Sequence, residues 1–345
     1  MSHHLYQAAI VGAGPIGIEL AVAMKQAGID YIHFDARQIG HTISWYAPQT
    51  RFFSSNERIA IAGIPLVTPD QQKATREQYL AYLRSVVEQF DLPIHTYEPV
   101  IDIERQTDYF RLTTRTQARE KTYQAGRLIL ATGGTDRPRM LGVEGEHLPH
   151  VSHYLADPHQ YFRKKVLIVG GKNSAVEAAL RCHHVGARVT FCYRKPQLAE
   201  QSIKYWLLPE FKSLIKTGQI RAYLNSHVRR ITTTQTILSV ETGPDLAVEA
   251  DFVLLMTGYE QDATLLRRVG VKLEGPQQKP WYDSETMQTN VNGLYVAGTA
   301  VGGTQDKYTV FIENCHVHVQ RIMKHAFGVD ITTPGLATAS LSPES

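Results

Sequence analysis

Apolar and polar positions along the chain repeat one pattern twice. Ala8-Ala9-Ile10-Val11 is a short apolar run that stops at Gly12-Ala13-Gly14-Pro15-Ile16-Gly17. An amphipathic stretch follows to Gly28, and a second apolar run, YIHF, ends at Asp35. Lys165-Val166-Leu167-Ile168-Val169 likewise stops at Gly170-Gly171-Lys172-Asn173-Ser174-Ala175, passes through a helical stretch to Gly186 and resumes as RVTFCYRK. The first glycines of the two turns lie 158 residues apart, 170 minus 12. Short β-branched runs predict buried strands, and 3.6-residue periodicity closed by glycine predicts a helix. Each segment therefore predicts strand, glycine turn, helix, strand. Two further runs fit the same architecture: Arg127-Leu128-Ile129-Leu130 before Ala131-Thr132-Gly133-Gly134, and Leu294-Tyr295-Val296 before Ala297-Gly298. The second of these leads to a helix-like stretch that begins at Phe311.

Composition narrows the class. The chain has 345 residues, 43% hydrophobic and 20% charged, which is globular rather than disordered or fibrous. The net charge of +3 comes without a polybasic run, so neither nucleic acid nor an anionic membrane surface is an expected partner. Cys182, Cys192 and Cys315 are too few for a disulfide framework and form no CxxC pair, which fits a cytoplasmic location. No apolar run reaches the ~18 residues of a membrane helix. The first apolar run follows no basic segment and enters glycines directly, so it reads as a strand rather than a signal peptide.

The first glycine turn has a specific chemical use. Gly12 permits the tight turn from strand to helix, Gly14 lets backbone approach a pyrophosphate, and Gly17 lets the helix pack on the strand. The helix start presents unpaired N–H groups and a positive dipole end to the phosphates. Asp35, 23 residues after Gly12, stands where a carboxylate can hold a ribose diol. In the second turn Lys172 occupies the second-glycine place, with Asn173 and Ser174 as helix caps or ligands. Arg194-Lys195 follows its second strand in place of an acid, which suits a 2′-phosphate and hence NADPH over NADH. The late strand and last helix belong with the first turn. The expected fold is α/β, with two nested Rossmann-like three-layer domains. The FAD-binding domain is split over 1–152 and 257–330, the NADPH-binding domain is inserted over 153–256, and 331–345 forms a tail.

GAGPIG, ATGG, VGGKNSA and GLYVAG, in this nested order, resemble the two-dinucleotide-binding-domain flavoproteins. RFFSSNERIAIAGIPL, SIKYWLLPE, LLMTGY and TVFIEN further resemble the YpdA-type flavoproteins, a family of bacillithiol-disulfide reductases within the thioredoxin-reductase-like group. The resemblance covers nearly the whole chain. It implies that Gly12, Gly14, Pro15, Gly17 and Asp35 hold FAD, with Val100 at the adenine and Thr132 and Gly133 lining the site. Gly298, Phe311 and Ile312 would face the ribityl and pyrimidine end. Gly171, Asn173, Ser174, Arg194 and Lys195 would hold NADPH. Three departures qualify the match. Ile16 stands where the family often has cysteine, Tyr154 and Asp157 stand where thioredoxin reductases carry their CxxC, and Thr299 replaces a usual acid.

The resemblance implies hydride transfer from NADPH to FAD and onward to a low-molecular-weight disulfide of the bacillithiol type. Alternatives are a ferredoxin- or flavodoxin-NADP reductase, a flavin monooxygenase, and a flavin-binding protein without activity. The ferredoxin reductases usually bring a C-terminal aromatic, and LATASLSPES has none. Cys315, His153 and Tyr154 are the candidates for a catalytic role. Cys315 is expected about a turn inside the last helix and, like Cys182 and Cys192, in the core. His153 is expected as a surface residue of a hinge. Ile203, Trp206 and Leu207 have helical spacing and predict a core or dimer face. The fifteen histidines include no pair at metal-ligand spacing on a helix, so no metal is expected. The expected partner is a small-molecule thiol or disulfide, or a small redox protein, with a homo-oligomer left open.

Overall fold

The computed structural model describes residues 4–241, 243–306 and 308–331. Nearly all of the expected tail, from 332 onward, lies outside the described residues. The described chain divides into two compact units, one of residues 4–45, 49–137 and 260–331, the other of 46–48 and 138–259.

The first unit opens with β1 (Leu5–Val11), α1 (Pro15–Gln26) and β2 (Tyr31–Phe34). After α2 (Arg76–Gln89) come β3 (Ile94–His95), β4 (Val100–Arg105), β5 (Phe110–Arg115) and β6 (Glu120–Leu130). The second unit holds β7 (Val151–Ser152), β8 (Lys165–Val169), α3 (Asn173–His184), β9 (Arg188–Tyr193), α4 (Leu208–Lys216) and β10 (Arg221–Leu224). It continues with β11 (Ser226–Ile231), β12 (Gln235–Val240), β13 (Leu246–Glu249) and β14 (Phe252–Leu255). β15 (Leu294–Val296) and α5 (His316–Phe327) return to the first unit.

The first sheet runs β3-β2-β1-β6-β5-β4, with β15 also paired to β6. β6 changes partner along its length. Its first half pairs antiparallel with β5, from Glu120 to Ala125, and its last three residues pair parallel with Leu294–Val296. The strands flanked by helices are apolar without alternation: Ala8–Ile10 and Leu128–Leu130 are fully buried, as parallel strands covered on both faces must be. β5 alternates more and less buried residues, as a strand with one wet face does, whereas β4 carries a register shift between Val100 and Asp102 and does not alternate.

The second unit repeats the plan with a parallel sheet in the order β10-β9-β8-β14-β7. Beside it lies an antiparallel ribbon, β11-β12-β13. This unit begins at 138 rather than at the expected 153, and ends at 259 rather than 256. Pairing explains the early start, because Val151 and Ser152 pair with Val253 and Leu254 at the sheet edge. Glu144 also bridges to Arg230. Residues 46–48 join the unit where the Arg181 guanidinium donates to the Pro48 carbonyl.

Two helix expectations are corrected. The last helix starts at His316, not Phe311, because the Asn314 side chain accepts from the Phe311 N–H at 2.9 Å and holds Ile312–Asn314 in a separate 3₁₀ turn. Cys315 is therefore the helix's N-cap, not a residue a turn inside it. The stretch 203–207 is not helical, since α4 starts at Leu208 with Pro209 in its first turn. Ile203 is buried there, whereas Trp206 is exposed with the Lys204 ammonium 5.8 Å from its ring centre.

Candidate functional site

In the first unit the strand-to-helix turn is fixed by backbone touching backbone. A Cβ on Gly17 would lie 1.9 Å from the Gly12 carbonyl oxygen, and one on Gly12 would lie 2.4 Å from the Ala131 oxygen. Glycine is required at both places because α1 starts hard against the ends of β1 and β6. The Gly12 carbonyl also accepts a hydrogen bond from His33 Nε2 at 2.9 Å. His33 is fully buried, and burial pulls its pKa down to about 4, so the ring is neutral with its proton on Nε2. Gly14 is different, for a Cβ there would meet nothing within 4 Å. Gly14 caps α1 without a side-chain bond, Pro15 follows it, and the first turn has no acid.

Asp35 follows β2. Its carboxylate accepts from the backbone N–H groups of Ala13 at 2.6 Å and Arg37 at 2.7 Å. Burial pushes its pKa up, against the pull of these two bonds. Each oxygen keeps a lone pair for a further donor. Thr132 and Gly133 follow β6, and Val100 opens β4, buried and paired with Thr114. The Gly134 N–H donates to Thr299 Oγ1 at 3.0 Å, so the residue that replaces the usual acid ties the 131–134 turn to the turn after β15. Gln261 Nε2 adds bonds to the Gly133 and Ala300 carbonyls at 3.3 and 2.9 Å. The Gly298 N–H donates to His318 Nδ1 at 3.2 Å. Burial holds His318 down to about 4, so this ring is neutral as well. Phe311 and Ile312 are half-buried ahead of α5.

These features fit a dinucleotide. Open space lies over Gly14, the helix start lacks both a cap and an acid, and a carboxylate closes β2. His33, Gln261 and His318 are not legible in the sequence, because each acts on a partner distant in sequence that no local motif specifies, and Thr299 is legible only as a departure, not as the tie to Gly134.

In the second unit Gly171 is buried for a different reason. A Cβ there would lie 2.1 Å from the Tyr193 ring, so glycine admits that ring rather than a phosphate. The uncapped start of α3 follows, with Lys172 and Ser174 exposed and no acid in its first turn. Asn173 turns inward, where its Oδ1 accepts from the Lys204 N–H at 3.1 Å. The Lys204 ammonium meets Glu177 Oε2 at 3.1 Å, which leaves Lys204 paired within the protein. Arg194 and Lys195 are exposed directly after β9, at the same sheet end as the α3 start. Helix start and cations together fit a phosphorylated nucleotide.

The redox candidates separate clearly. All three cysteines are fully buried. Burial pushes the Cys182 thiol up to about 12 and Cys192 to about 11, and raises Cys315 further, so none is a thiolate near neutrality. His153 is not a surface residue. Its side chain is 11% exposed and its Nε2 lies 3.5 Å from Glu146 Oε1. Burial lowers its pKa, with Glu146 opposing. Glu146 is itself buried and accepts from the Leu141 and Gly142 N–H groups, both at 2.7 Å. The Tyr154 ring stacks on Tyr259 with centres 5.7 Å apart. Among the described residues no group of histidine, cysteine or acid could hold a metal, and no helix is long and apolar enough to cross a membrane.

Comparison with known proteins gives the family. The family model for pyridine nucleotide-disulphide oxidoreductases matches residues 9–298. Bacilliredoxin reductase Bdr of Bacillus subtilis (strain 168) is 36% identical over 313 residues, 90% of this chain and 94% of that protein. The structure of bacillithiol disulfide reductase Bdr (YpdA) from Bacillus cereus superposes with a TM-score of 0.89 at 33% identity, covering 94% of this chain and 99% of that one. A ferredoxin–NADP reductase of Ignicoccus hospitalis is 27% identical, over 84% of this chain and 88% of that protein. Fold and site thus define an oxidoreductase, a flavoprotein that uses FAD and NADP(H). The chain belongs to the pyridine nucleotide-disulphide oxidoreductase family.

Proposed function

We propose that the protein is an NADPH-dependent reductase of a low-molecular-weight disulfide of the bacillithiol type. The carrying observation is the similarity to bacilliredoxin reductase, 36% identity across 90% of the chain. In this reading the Gly12–Gly17 turn and the α1 start hold the FAD pyrophosphate and Asp35 holds its ribose. Val100, Thr132, Gly133, Gly298, Phe311 and Ile312 complete the FAD site. Ser174, at the α3 start, and Arg194 and Lys195 hold NADPH, the latter two at its 2′-phosphate. Gly171 and Asn173 shape that turn from within, through Tyr193 and Lys204. When bound, FAD supplies the hydride chemistry, and the protein supplies alignment and exclusion of water. The two domains are read as 1–152 with 257–330 for FAD and 153–256 for NADPH, with edges moved to the pairing limits described above. The acceptor is a small molecule, the location is the cytoplasm, and no nucleic acid or membrane takes part.

The deciding experiment is anaerobic reduction by NADPH followed by an acceptor panel of bacillithiol disulfide, other thiol disulfides, ferredoxin and oxygen. Rapid reoxidation by bacillithiol disulfide alone is expected. Reoxidation by ferredoxin with none by any disulfide would replace this reading by the ferredoxin reductase one, and oxygen alone by a monooxygenase.

A further inference from the structure

Three segments of the first unit meet at one buried ring. His316 is the first residue of α5, and its side chain is 12% exposed. Its Nδ1 lies 2.8 Å from Oε2 of Glu19, a residue of α1 whose side chain is 3% exposed. Its Nε2 lies 2.9 Å from the Arg58 carbonyl, in the turn Asn56–Ile59. The other Glu19 oxygen accepts from the Ala62 N–H at 3.3 Å. A carbonyl oxygen only accepts, so Nε2 must carry a proton. The proton between Nδ1 and Glu19 then belongs either to the ring, as an ion pair, or to the carboxyl, as a neutral pair.

The surroundings favour the ring. Glu313, in the 3₁₀ turn before α5, adds a second buried carboxylate, with Arg58 at 3.8 Å as its counter-ion. His318 and Arg321, on α5 itself, act in the opposite sense, but His318 is neutral and Arg321 is directed to Glu285 at 3.8 Å. The neighbouring Cys315 thiol is uncharged. The cluster is neutral with the proton in either place, but the Glu313 carboxylate stabilises a positive ring, so the proton sits on His316 opposite ionised Glu19. Burial pulls its pKa down, but the bond to Glu19, the Glu19 charge, the Arg58 carbonyl and the Glu313 charge together raise it.

We infer that His316, doubly protonated, is a positioning residue that clasps the start of the last helix to the phosphate helix α1 and to the 56–59 turn, and thereby governs FAD retention. This rests on the reading that places FAD between the Gly14 turn and Phe311-Ile312. Glu19 is one turn beyond Gly14, and His316 stands four residues after Ile312. The clasp therefore ties together the helices that follow the two ends of that site.

The test has two independent arms. Nitrogen-15 spectra of histidine-labelled protein, as purified, should show both His316 nitrogens protonated at pH 7. One unprotonated nitrogen would overturn the inference, whether or not the protein holds flavin. The second arm measures FAD release against pH. A group with a raised folded pKa contributes fully below its unfolded value, and its contribution is lost as pH rises through the folded value. Release from the native protein should therefore accelerate about tenfold as pH rises through the His316 titration. In Glu19→Gln the amide can donate to a neutral ring, so the bond survives without the charge. Release should then be intermediate at pH 7 and flat with pH. His316→Gln should release FAD about tenfold faster at pH 7, also without pH dependence. A native profile as flat as that of Glu19→Gln would refute the clasp even if His316→Gln failed to fold. A protein that never binds FAD would instead refute the proposed function and leave the nitrogen-15 result standing.

Discussion

A methyl group at position 17 would stand 1.9 Å from a backbone oxygen that no rotamer can move. Gly17→Ala must therefore push α1 off the strand ends, and the displaced helix start should fail to retain flavin. The expected outcome is a folded, colourless protein, with far-UV circular dichroism close to the parent. The contrast is Gly14, whose Cβ position is open on the protein side. Gly14→Ala should leave the apo-protein's melting unchanged and weaken FAD alone, since any obstruction there meets only the ligand. Arg194 gives the corresponding test in the second unit. It is exposed at a strand end, so Arg194→Ala should not alter stability. NADPH binding should weaken by ~1.5–3 kcal/mol, the range of a charge-assisted hydrogen bond, and NADH binding should hardly change. Equal losses for both coenzymes, measured by titration, would move Arg194 away from the 2′-phosphate.

At the level of elements, the segment before β7 hangs on one carboxylate. Both Glu146 oxygens accept backbone N–H bonds from the 141–142 turn while facing His153. Glu146→Gln turns one acceptor into a donor that confronts an N–H group. The cost should be about 1–3 kcal/mol, read as a lower urea midpoint with an unchanged slope. This anchor shows where the sequence stops being informative. The two strand–turn–helix segments are legible because periodicity and glycine turns are local properties of ten to twenty residues. The split of β6 between β5 and β15 is not, since the choice is made by the whole sheet. The start of α5 was misplaced for a local reason. Periodicity continues through 311–315, but the Asn314 side chain competes for the backbone and breaks the run. The resemblance gives Gly171 to NADPH, and no local pattern shows that a side chain there would meet the ring of Tyr193, 22 residues on.

For the whole molecule, two buried neutral histidines set the behaviour in acid. His33 and His318 are held down to about 4, from an ordinary value near 6.5. The unfolded chain binds these protons first as pH falls, so stability is complete above pH 6.5 and declines between 6.5 and 4. Each ring contributes about 3 kcal/mol to that decline, from 2.5 units at 1.36 kcal/mol per unit. Unfolding free energies at pH 7 and pH 4.5 should differ by several kcal/mol, and His33→Gln should reduce the difference. Electron capacity is likewise a property of the whole chain. With Cys182, Cys192 and Cys315 all buried and protonated, anaerobic titration should end at one NADPH per flavin, without thiolate charge-transfer colour.

The same burial has a consequence under oxidative stress. Peroxide and alkylating agents attack thiolates that they can reach, and this protein presents none. An enzyme that restores oxidised thiols would itself be inert to the conditions that create its workload. Iodoacetamide should leave all three sulfurs unmodified in the native protein and label three in urea, and hydrogen peroxide that inactivates a dithiol reductase within minutes should leave its turnover intact.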